Sequence, residues 1–431
     1  MISIYRNGRI AEFLQRFENR RQEIPPEVRN SVAGILDKVR TRGDEALFEL
    51  TLEFDGADIR GAGLPVQDRE IEAAVRSMPP GFMDILEEAA RNIRRFHEQD
   101  KARSWMDWHN GAVLGQRVTA LDRVGIYVPG GRAAYPSSLL MAAIPARVAG
   151  VKEIIIVSPP DKNCRIHAAV LATARVAGTA TIFRAGGAQA VGALAFGTKT
   201  IPKVDKIVGP GNIYVAEAKR QVYGTVDIDM IAGPSEVVVL ADGQADPGFV
   251  AADLLAQAEH DPLASAICVT HEPKLADAVQ KAVILQAGTL KRSEIITASL
   301  KDWGGVLVTG NWNEAVDLTN RLAAEHLGLH VSRPWDVLPG IRHAGAIFLG
   351  HYAPETVGDY WAGPNHVLPT NQTARFASPL GTRDFQKVSS LIQYDRSALT
   401  RDARKIMTFA NMEGLDGHAN AVRQRLGKRA E

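Results

Sequence analysis

Between Arg123 and Gly243 the chain repeats one grammar: a short β-branched run, a turn, then an alanine-rich stretch. The runs are RVGIYV, KEIIIV, TATIF, VDKIV and SEVVVL. Four of the five end in glycine-bearing turns, at Pro129-Gly130-Gly131, Gly186-Gly187, Gly209-Pro210-Gly211-Asn212 and Asp242-Gly243. This alternation predicts βαβ units and a mostly parallel sheet. It resumes after Asp246 with a helix through Ala258, strands near Ala266–Thr270, Gly305–Thr309 and Gly345–Leu349, and helices between them. Two α/β units side by side suit a chain of 431 residues, which is long enough for several cores at ~150 residues per domain.

The flanks read differently. From Pro25 to about Arg103 apolar residues recur at three- and four-residue spacing, predicting a helical layer that Pro79-Pro80-Gly81 interrupts and a Trp-bearing connector, Ser104 to Gly111, closes. From Thr356 the periodicity weakens into a long loop, and a helical tail follows from about Ser397. A loop of that length inside a compact chain points to function. With 50 basic against 49 acidic side chains, a formal charge of +1 and no cluster of either sign, the chain offers no surface for tracking phosphates, which argues against a nucleic-acid partner. The most lipid-like stretch, Ala133 to Ala146, contains Pro136 and Pro145 and falls short of the ~20 apolar residues of a membrane span. The N-terminus lacks an apolar signal core. The expected compartment is the cytoplasm. Cys164 and Cys268 match no metal or redox spacing and read as core thiols.

Glycine turns at strand ends let backbone approach phosphates at a helix N-terminus, although glycine also simply terminates strands. The run Gly209 to Tyr214 stops one glycine short of a dinucleotide fingerprint. GALAFGTK, from Gly192 to Lys199, carries Thr198 and Lys199 in the reverse of the phosphate-loop order, which excludes a P-loop enzyme. Ionisable residues gather at four places: Gln257 and His260, three apart on one helix face; Glu325-His326; the loop containing Glu355, Asp359, Asn365 and His366; and Glu413 with His418. These are nitrogen and oxygen donors of the kind zinc or manganese takes. Their chemistry alone suggests a metal-assisted or acid/base enzyme on an α/β scaffold.

The blocks GIYVPGGRAAYPSSLLMAAIPARVAGV, GGAQAVGALAFGT, VDKIVGPGNIYVAEAKRQV, DIDMIAGPSEV, DLLAQAEHD, AEHL and GDYWAGPNHVLPT resemble, in order, those of the histidinol dehydrogenase family. The likeness runs from VRTRGDEAL to EGLDGHANAV. It implies two Rossmann-like parallel-sheet domains with small helical N- and C-terminal extensions in an intertwined homodimer. The expected divisions are an extension over 1–24, a first domain from 25–125 and 239–376, a cofactor domain over 126–238 and a dimer-crossing tail over 377–431. The resemblance further implies two NAD-dependent oxidations, from L-histidinol through L-histidinal to L-histidine, with one zinc per subunit. Glu325 and His326 would be catalytic. Zinc would be held by Gln257, His260, Asp359 and His418, the last crossing with Glu413 into the partner's site. Those ligands and His326 would also contact substrate, together with Ser138 or its neighbour Ser137, Ser235, Glu355, His366 and Glu413; NAD would meet Tyr127, Gln189 and Asn212. Paralogues on this scaffold oxidise other small primary alcohols, including sulfonated diols.

Overall fold

The computed structural model describes residues 2–20, 24–130 and 135–426, and the repeated grammar becomes two parallel sheets. One has five strands, ordered Ile182–Arg184, Glu153–Ser158, Arg123–Tyr127, Lys206–Val208 and Asp227–Ile228. Its order reverses between Arg123–Tyr127 and Lys206–Val208, which opens a crevice at their carboxyl ends. The other has six strands, ordered Ser3–Arg6, Gly305–Val308, Ser265–Thr270, Glu236–Ala241, His326–His330 and Ala346–Leu349. Apart from the N-terminal edge strand, it is wound in the same order, with its reversal between Glu236–Ala241 and His326–His330.

Each sheet is covered by helices, as strands buried on both faces require. The expected helical layer is present as Pro26–Arg42, Asp44–Asp55, Asp68–Arg76 and Phe82–Gln99. Val32, Ile35, Leu36 and Val39 of its first helix join the core of the five-stranded sheet. The lipid-like stretch forms most of the helix Pro136–Ala149, buried from Ser138 through Ala146. Its lack of charge reflects a core helix that has no solvent face. Among the described residues no helix is long and apolar enough to cross a membrane. Gly131, expected in the first glycine turn, lies outside the described residues.

By internal contact the chain forms two units, one of Met1–Asp100 with Asp122–Phe385 and one of Lys101–Leu121 with Gln386–Glu431. Both parallel sheets belong to the first. The second is an antiparallel sheet of Trp105–His109, Ala112–Ala120 and Gln386–Tyr394 with the helices Arg396–Met412 and Asp416–Leu426. The Trp-bearing segment is therefore a strand rather than a connector. Asn110 and Gly111, both at positive φ (48° and 81°), make the two-residue turn that matches strand twist in a hairpin.

Cys268 is fully buried in its strand, and burial pushes its thiol up to about 12. Cys164 is only partly buried; among the described residues neither is in a disulfide.

Candidate active site

The site is built at the amino ends of two neighbouring strands, Glu236–Ala241 and His326–His330, where His326 pairs in register with Val237. Glu325 is buried just before its strand, and its Oε2 accepts the backbone N–H of Glu236 at 2.8 Å. His326 Nδ1 lies 3.1 Å from the Glu236 carbonyl oxygen and 3.1 Å from the Gln257 amide. A carbonyl can only accept and a carboxamide NH2 can only donate, so the hydrogen that the Glu236 carbonyl requires on Nδ1, with the lone pair of the neutral ring on Nε2, goes with a Gln257 carboxamide turned so that its oxygen, not its nitrogen, faces the ring. Nε2 has no hydrogen-bond partner among the described residues and stands 3.6 Å from Asp359 Oδ1. Phe348 lies over the ring at 6.1 Å between centroids.

The charges are tightly coupled. Burial opposes a charge on His326, yet Glu325, 3.7 Å from Nδ1, and Asp359 outweigh it and push the imidazole up to about 10. Burial also raises the carboxyl of Asp359, but His326 overrides it and the net shift is downward. Glu325 rises to about 7 through burial, with the imidazole opposing. Glu355, buried one helical turn before Asp359 with Oε2 unpartnered among the described residues, is pushed up to about 8 for the same reason.

Gln257 lies in the last turn of the helix Pro247–Ala258 and is buried, whereas His260 falls beyond the helix end and is exposed, so the two do not share the helix face their spacing suggests. Asp359 and Glu355 share the short helix Glu355–Tyr360. That helix lies at the start of the stretch read as loop, which is further broken by short turns at Thr373–Arg375 and Thr382–Phe385 and, before the helical tail, by the strand Gln386–Tyr394. His366 Nδ1 donates to the Asp359 carbonyl at 2.9 Å, so Nε2 accepts the Ser138 hydroxyl at 3.2 Å. Asn365 is structural: its amide donates to the Met141 carbonyl at 2.6 Å and its Oδ1 accepts the N–H of Val367 at 2.9 Å. Ser235 immediately precedes Glu236. Glu325, His326, Gln257 and Asp359 thus come together in the first unit. Glu413 and His418 belong to the second, exposed at the end of Arg396–Met412 and in the first turn of Asp416–Leu426.

The three residues expected to meet a dinucleotide surround the crevice of the five-stranded sheet. Tyr127 ends the strand Arg123–Tyr127, and its Oη accepts the Gly187 N–H at 3.2 Å. Burial pushes its phenol up to about 12. Gln189, two residues farther along the helix Gly187–Phe196, is buried with both amide atoms unpartnered among the described residues. Asn212 caps the helix Ile213–Val222, its Oδ1 accepting the N–H groups of Tyr214 (3.0 Å) and Val215 (3.1 Å), which leaves Nδ2 for a ligand. Gly209 is needed here: its φ is 116°, and a Cβ would stand 2.1 Å from the Tyr127 carbonyl oxygen. Its N–H donates to Asp229 Oδ2 at 2.8 Å and its carbonyl accepts from Lys219 Nζ at 3.0 Å. Lys219 and Asp229 themselves form a buried ion pair.

Three buried groups escape a reading by motif. Glu236 heads an otherwise apolar strand, and its carboxyl is pushed up to about 7 by burial, with Arg20 opposing. Asp253 sits one turn before Gln257 and accepts from His330 Nε2 at 2.8 Å, the histidine being four residues beyond His326 on its strand. Arg20 follows the N-terminal helix Gly8–Glu18 and is buried. The signal for the first was a lone carboxylate in SEVVVLA, where solvation could not account for it.

The chain is similar to known proteins over nearly its whole length. The family profile described as Histidinol dehydrogenase matches residues 18–426. A protein of Halalkalibacterium halodurans named histidinol dehydrogenase is 56% identical over 398 residues, covering 92% of this chain and 93% of that one. One of Chlorobaculum tepidum with the same name is 51% identical over 427 residues, 99% of each. The crystal structure of histidinol dehydrogenase from Elizabethkingia anophelis superposes with a TM-score of 0.94 at 35% identity, covering 99% of this chain and 98% of that one.

Proposed function

The chain belongs to the histidinol dehydrogenase family of oxidoreductases, and on that premise we propose that one site oxidises L-histidinol to L-histidine through L-histidinal, with two NAD and one zinc. The observation that carries this reading is the tautomer of His326. The Glu236 carbonyl faces Nδ1, so in the neutral ring the lone pair is on Nε2, beside Asp359. A base so oriented can take the hydroxyl proton of an alcohol as hydride leaves the carbon. The relatives named above give no support to a sulfonated diol as substrate.

Gln257, His260 and Asp359 supply oxygen and nitrogen donors that suit zinc, and the partner subunit's His418 would be the fourth. Among the described residues no group of three His, Cys, Asp or Glu is close enough to hold a metal. The proposed set has only two such side chains in the first unit and relies on an amide and a second subunit for the rest. When bound, zinc supplies an anchor for the amino and imidazole nitrogens of the substrate, fixing the reacting carbon. NAD supplies the hydride acceptor. With its charge engaged by a cation, Asp359 would favour the protonated ring of His326 less, leaving Glu325 as the main group that raises it.

In the first step Nε2 of His326 removes the hydroxyl proton and the aldehyde forms. The aldehyde has no such proton, so water must add to it. Glu325, a stronger base for having been raised to about 7 by burial, accepts a proton from that water while His326 returns the proton it took in the first step to the carbonyl oxygen; the hydrate so formed is then deprotonated by the neutral His326 as the second hydride departs. Each turnover therefore consumes one water and reduces two NAD. Ser138, Ser235, Glu355, His366 and the partner subunit's Glu413 would contact the substrate, and Tyr127, Gln189 and Asn212 the dinucleotide. A homodimer is supported by exposed apolar side chains on the second unit, with Trp108 at 69%, Ile392 at 74%, Phe409 at 70% and Met412 at 85%, more than an isolated surface tolerates. A cytoplasmic location fits a biosynthetic enzyme.

The test is stoichiometry. Zinc-loaded protein should yield about two NADH per histidinol and lose activity on strong chelation. No NADH from histidinol would refute the substrate. Mixed dimers of an Asp359→Ala and a His418→Ala chain should regain activity, and their failure to do so would refute the shared site.

A further inference from the structure

Arg20 lies behind Glu325 and His326, on the N-terminal segment. Its guanidinium stands 5.6 Å from the ring of Phe17 and 5.3 Å from that of Trp303. Nη1 is 3.7 Å from Glu236 Oε1, and the two side chains are 5% and 2% exposed. A cation so buried is costly unless a carboxylate answers it, and the planar group stacks on aromatic faces in a way an ammonium does not. Burial draws its pKa down, with Glu236, Glu325 and Asp261 opposing. The same Oε1 of Glu236 accepts the N–H of Asn371 at 3.3 Å, so the carboxylate is held from two sides.

The main chain of Glu236 does different work. Its N–H donates to Glu325 at 2.8 Å, and its carbonyl accepts from His326 Nδ1 at 3.1 Å. One residue orients both members of the acid/base pair through its backbone while its side chain is anchored elsewhere. We propose that Arg20 and Glu236 are a positioning pair for Glu325 and His326: their ion pair locks the head of the strand Glu236–Ala241 where its N–H aims the carboxylate and its carbonyl sets the imidazole tautomer. This rests on the assignment of Glu325 and His326 as the acid/base pair. Neither Arg20 nor Glu236 touches substrate in this arrangement, so binding is spared and turnover is not. The N-terminal segment becomes part of the catalytic architecture.

Full-length Arg20→Met, Arg20→Lys, Glu236→Gln and the double variant Arg20→Met/Glu236→Gln are to be assayed with histidinol and with histidinal, beside His326→Asn, with the folded fraction read by circular dichroism. Arg20→Met should lower kcat about 30-fold for both substrates, the scale of a small misalignment of reacting groups, with KM for alcohol and NAD within about twofold. Arg20→Lys, which keeps the charge without the stacking plane, should recover part of the loss. The double variant should lose less than the product of the single losses, because neither charge is left buried alone. Parental kcat in folded Arg20→Met overturns the proposal. So does a rise in KM that matches the fall in kcat, a lysine variant no better than methionine, or losses that simply multiply. Retained activity in His326→Asn strikes the acid/base assignment itself, and the positioning pair with it.

Discussion

His97 offers a quantitative check on how the helical layer supports the site. It lies near the end of the helix Phe82–Gln99, 1% exposed, with neither ring nitrogen hydrogen-bonded among the described residues. Burial lowers its pKa from 6.5 to about 4, with Asp100 opposing. The unfolded chain therefore takes up a proton that the folded chain refuses across that window. Stability is unaffected by this group above pH 6.5, falls as pH drops from there toward 4, and has lost the whole contribution below. The fall from 6.5 to about 4, at ~1.4 kcal/mol per tenfold change in proton affinity, amounts to about 3 kcal/mol. Other carboxyls titrate in the same range, so the informative quantity is a difference between two proteins. His97→Leu removes the titration and keeps the apolar bulk. Urea unfolding at fixed protein concentration should place the variant's stability advantage about 2.5 kcal/mol higher at about pH 4.5 than at about pH 8. The consequence reaches the site, because Asn92 of the same helix donates to the Trp361 carbonyl at 3.0 Å, two residues past Asp359. Parallel pH curves for variant and parent would show that the imidazole is not excluded from protonation, and the argument from burial would fail.

Other outcomes follow from the same structure. Glu325→Gln should stall mainly the aldehyde step while His326→Asn slows both, by ~100-fold or more for a general base; single-turnover kinetics from histidinol and from histidinal separate the two, and equal retardation by Glu325→Gln would undo the division of roles. Lys219→Met leaves Asp229 buried without its cation and should cost about 3–5 kcal/mol of stability, while raising KM for NAD more than KM for histidinol because the Gly209 turn loosens; steady-state kinetics at a permissive temperature would check it. Gly363 has a φ of 110°, and a Cβ would stand 2.5 Å from the Asn92 carbonyl, so Gly363→Ala should lose at least about 2 kcal/mol, read as a lower thermal midpoint.

Strands in the chain's middle were legible because burial on both faces demands β-branched side chains and parallel crossovers demand helices, and both leave local marks. The strand His326–His330 left none: HLGLH has two imidazoles and a glycine, and it becomes a strand only by pairing with Glu236–Ala241 and Ala346–Leu349. Trp105–His109 was missed for a similar reason, since its sheet depends on Gln386–Tyr394 far along the chain, although Asn110-Gly111 was a hairpin signal in plain view. Within the site, Gln257 and His260 were readable as neighbours from spacing, but the helix stops at Ala258, so His260 falls past its end and the two share no helix face. The convergence of Glu325, His326 and Asp359 was not, because contact between separate strands and helices has no periodicity. That grouping came from family resemblance. Arg20 and Glu236 had neither a motif nor a resemblance to announce them, and their pairing is visible only in three dimensions.

The hydrogen bond from Ser138 to His366 stitches a helix wound about one sheet to the segment that follows the last strand of the other. The alcohol would lie along that seam, so a slight tilt of either sheet would reach it as an angular error at the reacting carbon. Selection for a different alcohol on this scaffold should therefore yield changes scattered along the seam and in the packing beneath it, with Glu325 and His326 left as they are.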